Sequence, residues 1–274
     1  MTRPEGHAAL HPPRAANPHG QPSLTALNHR PDAPVRLVCL PPAGLGPSFY
    51  LPWAPLLNDV DLYAVQLPGR ETYSAQPSLT DPRQVTTALA EQIAGSGDSR
   101  PFALFGHSIG ALLAYETARR MRRTHQRQPV LLALSALPAP HVKTLSDELA
   151  PRLLDGQSAL ADLLGTIGDL PPHIAQDLGL LTRVCTPLIA DMLLSLHYKH
   201  QDEPPLDVPF AIYGGQSDPV ATAEDLHAWN DLTTQPVTPQ LFPGSHMYTA
   251  DQTHALTHRL SRDLRVATRY ASAP

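Results

Sequence analysis

Phe102-Ala103-Leu104-Phe105-Gly106-His107-Ser108-Ile109-Gly110, continued by ALLAYETARR at 111–120, is the stretch that decides how this chain is read. An apolar run ends, a G-x-S-x-G turn follows, and an Ala/Leu-rich helical pattern begins at once. Serine is a poor nucleophile until a base takes its proton and its oxygen is held clear of the backbone. A sharp strand-to-helix turn does the second job, and glycine two positions either side leaves room for the chain to reverse. The new helix also brings its unpaired N–H groups and positive dipole end beside the place where an oxyanion would develop. The segment therefore predicts strand, nucleophile turn and helix, with Ser108 at the apex.

Outward from this turn, short apolar runs recur at Leu37–Leu40, Leu62–Gln66, Val130–Ala133, Phe210–Tyr213 and Val237–Phe242. Runs this short, bounded by Pro, Gly or Asp, are expected to be buried strands. Most gaps leave room for a helix, which implies right-handed crossovers and a mostly parallel sheet covered on both faces. The gap between Ala139 and Asp207 is too long for one crossover. Within it PLIADMLLSLHY (187–198) repeats Leu188, Ile189, Met192, Leu193 and Leu196 at helical spacing. A helical lid insertion at about 139–207 is expected, with Leu188, Met192 and Leu196 lining an apolar channel; a helix that merely caps the core is the alternative.

A serine base needs an orienting acid, and on such sheets the acid follows the nucleophile and the histidine comes last. Reactive groups gather at the carboxyl ends of the strands, and Asp218 lies on the loop after FAIYGG (210–215). Of the histidines beyond it, His227 falls in a helical pattern. His254 and His258 sit one turn apart in the final helix, a weak metal pair without further ligands. His246, in LFPGSHMY (241–248), is on a loop just past a strand. The expected catalytic set is Ser108, Asp218 and His246. Two backbone donors should face the oxyanion: Ile109, directly after the nucleophile, and Ala43, because Pro41 and Pro42 in LPPAGLG (40–46) have no N–H to give.

Composition limits the rest. The chain has 274 residues, 42% of them apolar, so one large core needs no metal or disulfide staple. Lysine plus arginine number 20 against 25 acidic residues, a formal charge of −5, which argues against general nucleic-acid binding. Two cysteines, Cys39 and Cys185, and an N-terminus without an apolar signal core predict a reducing, cytoplasmic setting, with no membrane span. Proline is abundant at 31 residues, and Pro4, Pro12, Pro13, Pro18, Pro22, Pro31 and Pro34 crowd the first 34 positions among His7, His11, His19 and His29. Residues 1–34 are expected to be a disordered leader and 35–274 the folded domain. The histidines there show no ligand spacing.

Several stretches together resemble one family, the stand-alone type II thioesterases of polyketide and non-ribosomal peptide assembly. They are RLVCLPPAG (36–44) with SFY (48–50), AVQLPGR (64–70), PFALFGHSIGALLAYETARRM (101–121), the surroundings of Asp191 and Tyr198, GGQSDP (214–219) and FPGSHM (242–247). The resemblance implies an α/β-hydrolase fold with a helical lid. It implies hydrolysis of acyl groups from the phosphopantetheine arm of acyl or peptidyl carrier protein domains, removing aberrant or stalled chains. It implies the roles argued above for Ser108, Asp218, His246, Ala43 and Ile109. No cofactor or metal is expected, since the phosphopantetheine belongs to the carrier protein. The chain departs from the family at Pro42 (usually histidine), Leu45 (glycine), Ile109 (methionine) and Ile189 (arginine); without that arginine Asp191 is expected to be structural. Arg119, Arg120, Arg122, Arg123 and Arg127 offer either a docking patch for an acidic carrier or simply cations favoured at a helix C-terminus. A general carboxylesterase or lipase, a product-releasing thioesterase and a non-catalytic interaction protein on the same fold are the competing expectations.

Overall fold

In the computed structural model residues 20–142 and 178–271 are described. Seven strands form one sheet: β1 (Ser23–Ala26), β2 (Arg36–Leu40), β3 (Asp61–Gln66), β4 (Phe102–His107), β5 (Leu131–Ser135), β6 (Phe210–Gly215) and β7 (Gln240–Phe242). Their order is β1-β3-β2-β4-β5-β6-β7, with only the β1–β3 pair antiparallel. Among the described residues the α-helices are α1 (Pro82–Gly95), α2 (Ile109–His125), α3 (Leu178–His197), α4 (Ala223–His227), α5 (Tyr248–Asp251) and α6 (Thr253–Ala271).

Successive residues of the central strands, all buried, point to opposite faces of the sheet and divide the core in two. Val38, Leu40, Leu104, Leu132, Leu134 and Ile212 face one side, against Val85, Leu89 and Ile93 of α1 and Leu113 of α2. Leu37, Cys39, Phe105, Ala133 and Tyr213 face the other, against Leu256, Leu260 and Leu264 of α6. Period-two alternation buried on both faces is what a sheet sandwiched between helices requires. On the α6 side Trp53 packs edge-on against Tyr50 and Phe105, with centroids 4.9 Å apart in each pair. Helix ends are capped by sequence: Asp81 accepts from Arg83 N–H at 2.8 Å before Pro82, and Thr222 and Asp225 form a capping box on α4.

Every strand expected from residue 35 onward is present, although the one expected at Val237–Phe242 is confined to Gln240–Phe242, beyond Pro239, and the boundary of the leader is corrected. Residues 23–26, placed in the disordered leader, form β1 on the sheet edge, while residues 1–19 lie outside the described residues. The reason is polar. Asn28 accepts from Leu62 N–H at 2.8 Å and donates to Val60 O at 3.2 Å. Arg100 donates to Pro31 O at 2.8 Å and Ala33 O at 3.2 Å, and reaches Asp61 and Asp98, each at 2.7 Å. Remote hydrogen bonds, together with Leu24 and Leu27 packed against the two cores, hold this proline-rich approach, so composition does not reveal it. Hydrogen bonding from the Arg100 side chain holds the Asp98 carboxyl down at about 2 against the opposing effect of burial. A depressed carboxyl stabilises the fold above its unfolded value near 4, and that stability is lost as pH falls toward about 2. Asp98→Asn should therefore lower the urea midpoint at neutral pH, with the gap to the native protein closing as pH falls from about 4 to about 2. A gap that persists at pH 2 would contradict this.

Of the insertion expected at about 139–207, residues 143–177 lie outside the described residues. Its described helix, α3, is held to the body: His197 Nδ1 lies 2.9 Å from Thr80 O, and buried Tyr198 donates to Glu116 at 2.9 Å. Leu188 and Met192 are buried and Leu196 half-buried, but Ile189, expected on the same stripe, points outward at 47% exposed. Buried Asp191 takes the inward place beside it, because it has a cationic partner.

Arg119, Arg122 and Arg123 of α2 make ion pairs within the chain. Arg119 is buried and pairs with Glu116 at 2.6 Å and Glu203 at 2.9 Å. Arg122 binds Glu203 at 2.9 Å, Arg123 binds the same carboxylate, and Arg127 lies over the Phe102 ring. They secure the segment that leaves α3, a use that the sequence did not disclose.

Candidate active site

The winding of the sheet reverses between β2 and β4, since β3 lies on one side of β2 and β4 on the other. In an open parallel sheet the crevice at such a reversal, beyond the carboxyl ends of the strands, is where ligands bind. Leu40 pairs with Gly106 across β2 and β4, so the turn at 41–46 and the turn at 107–110 leave the sheet at the same level.

Ser108 sits between β4 and α2 with φ 55° and ψ −126°. Such a conformation costs a non-glycine residue about 1–3 kcal/mol and persists only where its surroundings fix it. Ser108 N–H donates to Ser135 O at 2.8 Å, and Ala111 N–H returns to Ser108 O at 2.8 Å. The two flanking glycines are sterically required. A Cβ on Gly106 would lie 2.1 Å from Gly110 O, and one on Gly110 would lie 2.2 Å from Leu40 O. The second approach presses the start of α2 against the end of β2 and the first residue of the turn that follows it.

Asp218 and His246 come from the loops after β6 and β7. These loops are fastened together by Gln216 N–H to Phe242 O at 2.8 Å and Ser217 N–H to Gly244 O at 2.9 Å. Val220 N–H and Ala221 N–H donate to Asp218 Oδ1 at 2.8 and 3.3 Å and orient the carboxylate. His246 Nδ1 lies 3.0 Å from Asp218 Oδ2 and 3.1 Å from Oδ1, and His246 Nε2 lies 3.1 Å from Ser108 Oγ. An ionised carboxylate only accepts, so the proton sits on Nδ1 and Nε2 is left bare to receive the Ser108 hydroxyl. All three residues are buried, between 5% and 6% exposed. Three positions remote in sequence thus form one hydrogen-bonded line.

Behind the line lies a polar chain that the sequence reading passed over. His107 Nδ1 is 2.8 Å from Ser135 Oγ, which is 2.7 Å from the Tyr248 hydroxyl. Burial pushes the His107 imidazole well below its usual value, and the neighbouring His246 adds to the effect while its backbone opposes it. His107 is therefore a neutral spacer whose ring centre lies 5.5 Å from that of His246. Its place inside G-x-S-x-G was the only available signal. A second omission is Arg70, which forms a buried ion pair with Asp191 on α3. The AVQLPGR stretch that carries it was noticed without a role.

The other histidines stay apart: His227 is exposed on α4, and His254 and His258 are exposed on α6. Among the described residues no three His, Cys, Asp or Glu side chains converge as a metal would need, and no helix is long and apolar enough to cross a membrane. Cys39 and Cys185 are free thiols. A groove of about 340 Å³ between β6 and α6, lined by Phe210, Arg259 and Tyr270 among others, lies at the opposite ends of the strands. No residue of the Ser108–His246–Asp218 line borders it.

A mostly parallel sheet with its reversal crevice filled by a strand-to-helix serine turn defines an α/β-hydrolase fold. Within that fold the thioesterase domain model matches residues 35–264, and the chain belongs to that family. It is 29% identical to the gramicidin S biosynthesis protein GrsT of Aneurinibacillus migulanus, over 85% of this chain and 90% of that one. Among solved structures it resembles the RedJ thioesterase of the prodiginine pathway of Streptomyces coelicolor, with 31% identity, a TM-score of 0.76 and coverage of 84% and 91%. It also resembles the type II thioesterase BorB of the borrelidin cluster, with 29% identity, a TM-score of 0.75 and coverage of 88% and 96%. The expected fold and family are both met.

Proposed function

We propose that this thioesterase removes acyl groups from the phosphopantetheine thiol of acyl or peptidyl carrier proteins, clearing aberrant or stalled chains in a polyketide or non-ribosomal peptide pathway. The observation that carries the chemistry is the line from Ser108 Oγ through His246 to Asp218. In the first step Ser108 Oγ bonds to the thioester carbonyl carbon as His246 Nε2 takes its proton. The tetrahedral oxyanion is met by the Ala43 and Ile109 N–H groups. The C–S bond then breaks and His246 returns the proton to the departing thiolate, leaving acyl-Ser108 and free pantetheine thiol. In the second step His246 takes a proton from water, the hydroxide attacks the acyl carbon, and Ser108 leaves with that proton. Asp218 holds the imidazole tautomer and stabilises the imidazolium.

Cys185, Leu188 and Met192 are buried yet belong to neither of the two cores flanking the sheet. Their spacing puts them on one face of α3, and a Cβ at Gly44 would lie 3.2 Å from Leu188 Cβ, so this face overlies the turn after β2. That supports an acyl channel under α3, with Leu196 at its half-buried end. Met192→Trp should shift preference toward shorter acyl chains, read as kcat/KM across a series of acyl-pantetheines; an unchanged profile would remove Met192 from the channel.

The substrate reading is tested by comparing acyl-loaded carrier protein, free acyl-pantetheine and a nitrophenyl ester of the same acyl group. Hydrolysis with kcat/KM about tenfold or more higher on the loaded carrier is expected. Equal rates on the simple ester would favour a general carboxylesterase, and a cyclised product would favour product release.

A further inference from the structure

We propose that Asp191 and Arg70 are positioning residues through which the lid helix α3 sets the shape of the oxyanion turn. Asp191 Oδ2 accepts the Gly44 N–H at 2.8 Å and Arg70 Nη1 at 2.5 Å, while Oδ1 accepts Arg70 Nη2 at 2.8 Å. The same Arg70 Nη1 reaches Leu45 O at 3.2 Å. The turn adds its own bond from Leu45 N–H to Pro42 O at 3.1 Å. Pro42 O, Gly44 N–H, Leu45 N–H and Leu45 O are therefore all engaged around Ala43, whose own N–H is the donor assigned to the oxyanion. These four groups make three hydrogen bonds, and two of the three reach beyond the turn, one to α3 and one to the loop after β3.

Asp191 is 1% exposed and Arg70 4%. A buried ion pair is weak support for stability, because desolvating both charges can offset their attraction and a well-packed apolar pair often serves as well. What an apolar pair cannot supply is an acceptor for Gly44 N–H and a donor for Leu45 O. The fork specifies the path of the backbone on either side of Ala43. Since a misplacement of about 1 Å can cost on the order of 100-fold in rate, the pair earns its place through geometry. It follows that displacing α3 would loosen the oxyanion turn, so that hydrolysis is completed only with the lid helix seated.

This inference rests on the reading of Ser108 as nucleophile with Ala43 as donor, and the test separates the two. Asp191→Asn drops the charge and keeps an acceptor. Arg70→Lys keeps the charge and loses the fork. The double variant Arg70→Met with Asp191→Leu leaves no lone buried charge. For each, kcat and KM on an acyl-pantetheine are measured with the Ki of an acyl trifluoromethyl ketone, which adds to the active serine as a tetrahedral oxyanion. An oxyanion donor acts on the transition state and not on the bound substrate. We expect kcat to fall about 10–100-fold with KM within about twofold, and log Ki to follow log(KM/kcat) across the series. The same pattern is expected in the double variant at an unchanged melting temperature. A folded double variant with native kcat, or losses confined to KM with Ki following KM, would overturn the proposal and leave the pair a lid fastener. A native enzyme indifferent to the ketone would instead overturn the nucleophile reading, and this inference with it.

Discussion

Ser108→Ala is expected to lower thioester hydrolysis by roughly 10⁴-fold or more while leaving the fold intact. The size follows from the role: without Oγ there is no acyl-enzyme, and only the oxyanion donors and substrate binding remain. The intact fold follows from what the side chain touches. Its hydroxyl meets His246 at 3.1 Å, while the strained backbone is held by its own hydrogen bonds to Ser135 and Ala111, which alanine keeps. Melting temperature should move little, and the variant should still bind acyl-pantetheine. His246→Ala should match it, and the double variant should be little worse than either single one, because members of one catalytic line are not additive. A Ser108→Ala protein retaining more than about a tenth of native turnover would require another nucleophile.

Gly110→Ala, a change of one methyl group, is expected to disable the site almost as thoroughly. The new Cβ would stand 2.2 Å from Leu40 O and 2.7 Å from Pro41 O, and both neighbours are backbone atoms with no rotamer to change. Leu40 O is further fixed by the Tyr50 hydroxyl, which donates to it at 2.8 Å. The clash can be relieved only by moving α2 away from the end of β2, which separates the Ile109 and Ala43 amides. Overpacking of this kind costs about 1–3 kcal/mol or more, and losing one aligned oxyanion donor about 10²–10³-fold in kcat. Urea unfolding and kcat on acyl-pantetheine check the two effects separately. Native values of both would mean that the elbow and the oxyanion turn are not in contact.

What the sequence made legible was local or periodic. The elbow declared itself because strand, glycine-flanked serine and helix are contiguous, and β2, β4, β5 and β6 because their residues are buried on both faces. Asp218 and His246 could be chosen because both lie on loops following strands. β1 leaves little trace because none of its four residues is fully buried (Ser23, Leu24 and Thr25 half-buried, Ala26 exposed), and the chain beside it is fastened by Asn28 and Arg100, whose partners are remote. The role of Asp191 is hidden in the sequence for a similar reason, since the nearby position 189 holds isoleucine and no cation. Its partner stands 121 positions away in the AVQLPGR loop, and only the fold brings the two together. The arginines of α2 illustrate the same point: three of the cluster, Arg119, Arg122 and Arg123, converge on Glu203, a partner some 80 positions away that the sequence pattern does not reveal. Long-range polar pairing leaves no periodic trace, whereas apolar burial does.

The most direct test of the Ser108–His246–Asp218 line is to trap the intermediate. Native protein mixed with an excess of acyl-pantetheine, quenched within milliseconds and digested, should carry the acyl mass on the peptide containing Ser108. The adduct should vanish in Ser108→Ala and be nearly absent in His246→Ala. An acyl group found on any other residue, or a Ser108→Ala protein that turns over at the native rate, would contradict the account.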